Sequence, residues 1–223
     1  MRAAELLAGR RDERAVDVLG ACLRTDDENV ALRARDALAR IGSPSAIREL
    51  AGRAEETTAP HDRVALLEAI GKARGAGIEA LDALAARFSD DEEIVRTAAV
   101  EAALTIVGER ADTKPVRGEP KPKAPDQALA LRFCETAAKS RYADVRLASA
   151  TRLDDLADPS AEGLLVGLFG DRNVEVRARA VLSYAERVEK KGASPAALSE
   201  VIRGGARETM LSAACGLATK GPI

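Results

Sequence analysis

The chain repeats one stretch of sequence, which in its clearest copy reads Val30-Ala-Leu-Arg-Ala-Arg-Asp-Ala-Leu-Ala-Arg-Ile-Gly42. Apolar residues recur in it at three- and four-residue spacings, which predicts an amphipathic helix. Similar stretches begin at Val95, Val145 and Val176, and weaker copies begin near Asp62 and Thr209. The successive intervals are 32, 33, 50, 31 and 33 residues, so the sequence predicts a repeat protein with one insertion.

A second apolar stripe precedes each copy and tests this register on a different segment. Eleven residues before the six starting positions stand Leu19, Ala51, Leu84, Cys134, Leu165 and Leu198. The residues four positions before and four positions after each of these six are also mostly small or apolar, which is the spacing of one face of a helix. Glu55 breaks this pattern in the second repeat. Each repeat is therefore predicted to contain a first helix, a short turn and a second helix.

Turn-forming residues separate the predicted helices. Within the repeats these are Thr25-Asp26-Asp27, Ser89-Asp90-Asp91 and Gly170-Asp171-Arg172, and between repeats they are Gly42-Ser43-Pro44 and Gly192-Ala193-Ser194-Pro195. Such residues end one helix and cap the next. A two-helix repeat of this length predicts an all-α protein with the architecture of an α-solenoid.

The pattern of a turn aspartate followed by Val-Arg-x-x-Ala-x-x-Ala-Leu-x-x-Ile-Gly resembles HEAT repeats, specifically the short bacterial kind named for phycobilin lyases. The resemblance implies a right-handed α-solenoid, or superhelix, of about six HEAT-like helix pairs over nearly the whole chain. It also implies a ladder of aspartates and arginines between adjacent repeats, with roles for Asp91, Arg96, Asp171 and Arg177. The ladder is incomplete, because Ala31 replaces an arginine and no suitably spaced acid precedes Arg146.

Composition disfavours several classes of protein. Hydrophobic residues make up 46% of the chain, aromatic residues only 2%, and the net charge is −2, which is unlike a strongly basic nucleic-acid binder. The only histidine is His61, and the three cysteines are widely spaced, so no metal site and no cofactor are predicted. We expect a reduced cytoplasmic protein with no membrane-spanning segment.

Residues 109–126 interrupt the repeat with four prolines and a glycine. They divide the chain into predicted repeats over 1–108 (a partial first unit plus three pairs), a Pro/Lys-rich loop over 109–126, and three pairs over 127–223, continuous with the first half as one solenoid. The loop carries Lys114, Arg117, Lys121 and Lys123, which would recognise an acidic partner; the alternative is a plain linker. Leu6 and Leu7 would have one uncovered side, so further repeats or another chain are expected there, unless this is a short capping helix.

Arginines recur on the predicted second helices, which line the concave face of HEAT arrays. Arg96, Arg146 and Arg177, with Tyr142 in a neighbouring turn, are therefore candidate partner-binding residues. The alternative is that these arginines pair with nearby acids inside the molecule.

Catalytic motifs are missing from the sequence: it contains no P-loop, no dinucleotide-binding glycine pattern and no nucleophile elbow. His61 has no obvious nucleophile beside it, and Cys134 lies on the predicted core stripe, so no catalytic residue is assigned. We therefore expect a non-catalytic scaffold or adaptor that binds a protein on its concave face. The alternatives are a nucleic-acid-binding protein resembling the HEAT-like DNA glycosylases and, less favoured, an enzyme or chaperone resembling phycobilin lyases.

Overall fold

The computed structural model describes residues 8–10, 12–73, 77–108 and 126–204, and these residues form two compact units. The first unit spans Met1–Gly108 and the second spans Glu109–Ile223. Where the chain is described it is helical, with no strand, so the predicted all-α fold is confirmed. None of the helices in these ranges combines the length and the apolar character needed to cross a membrane.

The first unit contains three helix pairs, which we number repeats 1 to 3. Its helices are α1 (Val16–Leu23), α2 (Glu28–Ile41), α3 (Pro44–Glu56), α4 (Pro60–Gly71), α5 (Gly77–Ala85) and α6 (Glu93–Val107), with a short 3-10 turn over Glu13–Ala15 before α1. The second helices of the repeats are thus α2, α4 and α6, as the sequence pattern predicts.

The second unit contains repeats 4 and 5 and the first helix of a further pair. Its described helices are α7 (Gln127–Ala137), α8 (Ala143–Arg152), α9 (Ser160–Leu168), α10 (Val174–Lys191) and α11 (Ala196–Gly204). The Pro/Lys-rich loop except Asp126, the predicted last helix near Thr209, Leu6, Leu7 and Cys215 lie outside the described residues. The predicted continuity of the two halves stays a prediction.

The predicted core stripe is buried in the first helices of repeats 1, 3, 4 and 5, where Leu19, Leu84, Cys134 and Leu165 are fully enclosed. Helix α3 of repeat 2 differs from the prediction, since its buried face carries Leu50 and Ala54. Ala51 is half-buried and Glu55 is exposed. Ile47 is buried as predicted, so the core register of this helix is shifted by one residue only from Leu50 onward.

Local sequence explains where several helices begin and end. Asp27 accepts hydrogen bonds from the backbone N–H groups of Asn29 and Val30 and so caps the first turn of α2. Ser43 caps α3, whose first residue is Pro44, a position where the missing N–H of proline costs nothing. Gly42 ends α2 in the left-handed region with a φ of 63°, where a side chain would be strained. The predicted punctuation between repeats 1 and 2 is therefore confirmed.

Candidate functional site

An arginine at the start of the second helix closes the turn within its own repeat in three places. The Nη1 group of Arg96 donates to the carbonyl of Asp90 at 2.9 Å, that of Arg146 to Ser140 at 2.8 Å, and that of Arg177 to Asp171 at 2.7 Å. Each arginine thus reaches the carbonyl six residues before it. These backbone contacts fix the angle between the two helices of a repeat, whatever side chain the acceptor residue carries.

A different set of contacts joins one repeat to the next. Arg63 of repeat 2 pairs with Asp90 of repeat 3 at 2.6 Å, and Arg146 of repeat 4 pairs with Asp171 of repeat 5 at 2.6 Å. In the second pair the two side chains are only 6% and 7% exposed, and a further hydrogen bond of 2.8 Å makes the contact bidentate. We call each such inter-repeat pair a rung.

The rungs revise the ladder that the HEAT resemblance implies. Asp171 is a rung acid as expected, but the corresponding acid of repeat 3 is Asp90, because it stands five residues before Val95 as Asp171 does before Val176. The arginine of each rung comes from the preceding repeat, whereas Arg96 and Arg177 bind the carbonyls of their own turns.

Hydrogen bonding sets the charge state of the rung acid Asp171. Burial on its own raises the pKa of this carboxyl group, but hydrogen bonds from Arg146 and from the backbone of Asn173 outweigh it, so the pKa is lowered. The same contact raises the pKa of Arg146. The pair is therefore ionised at neutral pH.

The predicted partner-binding residues have structural contacts in this fold. Arg96 and Arg146 are buried and Arg177 is half-buried, which supports intramolecular pairing over a basic ridge. Tyr142 is half-buried, with the guanidinium of Arg141 4.8 Å from its ring centre. Lys114, Arg117, Lys121 and Lys123 lie outside the described residues. A role of any of them in partner binding stays a prediction.

The helices of the first unit are unevenly spaced. Helix α4 packs extensively along α6 but makes much less contact with α2. Gly71 permits the close approach to α6, because a Cβ atom placed on it would lie 2.7 Å from the Cβ of Ala102. Repeats 1 and 2 are instead joined on another side, where Arg24 pairs with Glu49 at 2.7 Å and with Glu56 at 3.1 Å.

A groove of about 640 Å³ opens between α2 and α4 as a result of this spacing. Alanines 39, 65 and 69 lie along it, together with Ala8 and Gly9. Its rim carries Arg35, Asp36, Arg40, Glu68 and Lys72. Two of the rim contacts are ion pairs, Arg35 with Asp36 at 3.3 Å and Lys72 with Glu68 at 3.5 Å.

A smaller pocket of about 370 Å³ adjoins this groove and shares Arg35 and Ala65 with it. Sequence reasoning places the binding surface on the second helices, but it misses this location. Two residues in the sequence could have indicated this location. Repeat 1 has Ala31 at the position of the rung arginine, and repeat 2 has Thr57 at the position of the rung acid. Both residues line the smaller pocket.

The second unit contains two cations, buried Arg187 and exposed Lys191, that contact the loop between α8 and α9. Arg187 is only 2% exposed and donates to the carbonyls of Leu153, Leu156 and Asp158, while Lys191 donates to those of Asp154 and Leu156. Because these cations satisfy backbone carbonyls, they hold a loop that has no regular structure of its own. We assign these two cations a structural role.

Two residues considered for catalysis, His61 and Cys134, lie in different environments within the described parts of the chain. His61 is exposed in the first turn of α4. Burial raises the pKa of the Cys134 thiol to about 12, so the nucleophilic thiolate is not populated at neutral pH. Within the described ranges, histidine, cysteine and acidic residues form no group of three or more that could hold a metal ion.

Comparisons with known proteins bear directly on the predicted resemblance. Residues 1–71 match the family model of HEAT repeats, which confirms the resemblance for repeats 1 and 2. No curated protein matches the chain.

Several solved structures are similar to the chain. They include an archaeal HEAT-like repeats protein from Thermococcus onnurineus (15% identity, 96% of this chain and 89% of that chain, TM-score 0.42). Human deoxyhypusine hydroxylase in complex with glycerol has 20% identity, over 96% and 76% of the two chains, with a TM-score of 0.42. The complex of CpcE and CpcF of phycocyanin lyase from a Nostoc species has 18% identity, over 98% and 87%, with a TM-score of 0.35. At these values the similarities say nothing about function.

Proposed function

We propose, from the HEAT repeats in residues 1–71, that the chain is a non-catalytic scaffold or adaptor that binds a protein in the groove between α2 and α4. HEAT arrays and related solenoids present extended surfaces built from the same element of successive repeats. The observation that carries the proposal is the groove of about 640 Å³, which is lined by the second helices of repeats 1 and 2.

The lining of the groove suits a segment of protein chain. Alanine side chains are short, so Ala39, Ala65 and Ala69 let a partner segment approach the helices closely, although only Ala65 among them is more than slightly exposed. Next to them Leu32 is 47% exposed although it is a large apolar residue, which makes it a candidate anchor for a partner. The rim has charges of both signs, which suits a mixed protein surface better than a polyanion.

The environments of the ionisable side chains support binding without catalysis. A general base needs a partner within hydrogen-bond reach, and a nucleophilic cysteine needs a lowered pKa. His61 is solvated, and the pKa of Cys134 is moved in the opposite direction. We therefore assign neither side chain a catalytic role.

A comparison of two exposed apolar residues on opposite helices of repeat 1 tests the proposal. Leu32→Asp changes α2 beside the groove, and Val18→Asp changes α1, where the side chain is 54% exposed. Both variants should keep the helical circular dichroism spectrum, because neither side chain is buried. The purified wild type and both variants would be used as bait in lysate of the source organism, and captured proteins would be purified and titrated against each bait.

The proposal expects one protein that binds the wild type and Val18→Asp with similar dissociation constants and binds Leu32→Asp at least about tenfold more weakly. Equal binding to all three baits would remove the face of α2 around Leu32 from consideration. Salt-sensitive retention of nucleic acid, with no protein retained, would replace the scaffold by a nucleic-acid-binding function.

A further inference from the structure

The smaller pocket occupies the place where repeats 1 and 2 would form a rung. In the two rungs, the arginine follows directly after the residue that begins the sequence copy in the second helix, Asp62 or Val145. Arg63 reaches Asp90 in the turn of the next repeat, and Arg146 reaches Asp171 in the same way. The corresponding residues here are Ala31 and Thr57, and both line the pocket. The side chains that fill this space elsewhere in the molecule are therefore missing, and a volume of about 370 Å³ is left.

Two acids and two arginines line the pocket, and they differ in how they are paired. Glu28 and Asp62 line it, and neither forms an ion pair with another residue of the described chain. The two lining cations are already engaged with acids that do not line the pocket: Arg35 pairs with Asp36 at 3.3 Å, and Arg53 with Glu56 at 3.6 Å. A cationic group entering the pocket would thus meet two carboxylates that have no ion-pair partner in the described part of the chain.

The remaining lining is apolar or carries hydroxyl groups. Leu23 and Leu66 are buried, Leu32 is exposed, and the hydroxyl of Thr57 already donates to the carbonyl of Arg53 at 2.7 Å. Such a surface can cover the methylene groups of a long side chain while its charged end reaches the carboxylates. The rungs show that this fold accommodates arginine in the equivalent position.

We propose that this pocket receives an arginine side chain of the protein partner, which completes from outside the rung that repeats 1 and 2 lack. This inference rests on the proposed scaffold function, because it names the chemistry that the same face of α2 and α4 recognises. Arginine is favoured over lysine because its planar guanidinium presents several fixed N–H donors to the carboxylates that line the pocket.

Three matched peptides test the proposal: acetyl-Gly-Leu-Arg-Leu-Gly-amide and its lysine and citrulline analogues. Citrulline keeps the shape of arginine without the positive charge. Each peptide would be titrated into the isotope-labelled full chain, and binding would be followed by the amide resonances of residues 28, 57 and 62. The arginine peptide should bind about fivefold more tightly than the citrulline peptide, the upper range for exposed ion pairs, and more tightly than the lysine peptide.

Two variants remove the site in different ways. Glu28→Gln with Asp62→Asn removes the carboxylates, and Ala31→Arg with Thr57→Asp fills the pocket with the missing rung. Both should abolish the preference for arginine over citrulline. The matched control is Glu13→Gln with Asp17→Asn, which removes two exposed acids outside the pocket and should leave it unchanged.

Equal binding of the arginine and citrulline peptides, binding of none of them, or an unchanged preference in the pocket-filled variant would overturn the proposal. The scaffold function fails separately. A captured protein that is lost with Leu32→Asp but still binds the pocket-filled variant as tightly as wild type would uphold the scaffold and reject the arginine pocket.

Discussion

Replacing Gly71 by alanine should destabilise the first unit, although alanine is the better helix former. A Cβ atom on Gly71 would lie 2.7 Å from the Cβ and 2.8 Å from the Cα of Ala102, and the second of these belongs to the backbone of α6. The helices must therefore move apart. Overpacking of this kind costs about 1–3 kcal/mol. The gain from replacing a helical glycine is at most about 1 kcal/mol, and less at the last residue of a helix.

Gly163→Ala provides the control with the opposite sign. Gly163 lies inside α9, and nothing stands within 4 Å of the position of its added Cβ. This substitution should raise the free energy of unfolding by about 0.5–1 kcal/mol. Urea unfolding followed by circular dichroism measures both changes as shifts of the midpoint.

A third variant shows whether the contact with Ala102 is the cause. Ala102→Gly in the Gly71→Ala background relieves the Cβ–Cβ overlap and should recover part of the lost stability, beyond what Ala102→Gly does alone. A Gly71→Ala variant as stable as the wild type, or two substitutions whose effects are simply additive, would refute the overlap with Ala102 as the cause.

Three further outcomes follow from the rung and from the buried thiol. Asp171→Asn leaves Arg146 buried without its counter-charge, so the free energy of unfolding should fall on the order of 3 kcal/mol, measured by urea titration at pH 7. Because the folded-state pKa of Asp171 is lowered, the stabilisation is fully present above the ordinary carboxyl pKa near ~4 and is lost as the pH falls through the lowered value. The difference between wild type and variant should thus be constant from pH 7 to about 5 and shrink below about 4. Alkylation at pH 8, followed by mass spectrometry, should modify the half-buried Cys22 well before Cys134, and equal rates would contradict the enclosure of Cys134.

Helix positions and their buried faces were largely predictable, because they depend on local spacing and on turn residues. The intervals between copies located the second helices α2, α4, α6, α8 and α10, and Gly42 and Ser43 marked a boundary that the structure places at the same residues. Glu55 on the predicted core stripe indicated that the register of α3 is shifted. The direction of that shift depends on which residues of α3 pack against the neighbouring helices.

The binding surface was predictable only in part, because it depends on distances between helices. The recurring arginines suggested a charged face, yet packing turned Arg146 inward against Asp171 and left only a half-exposed surface at Arg177. The groove results from the unequal spacing of α2, α4 and α6, which depends on the Gly71–Ala102 contact. No periodicity within a single helix carries that information.

The direction of the rungs has a consequence for how such arrays grow by duplication of gene segments. Repeat 3 has an acid, Asp90, in its turn and an arginine, Arg96, in its second helix. It therefore contains both residue types that form a rung, in which the acid faces the preceding repeat and the arginine the following one. A tandem copy of this repeat would place Arg96 of the first copy toward Asp90 of the second, and the new junction would acquire its ion pair without a further mutation. Duplication of repeat 1, which has Ala31 and Thr25 at these positions, would create a junction with neither half. Repeats that carry both the acid and the arginine, such as repeat 3, are therefore the ones whose duplication can extend the array stably.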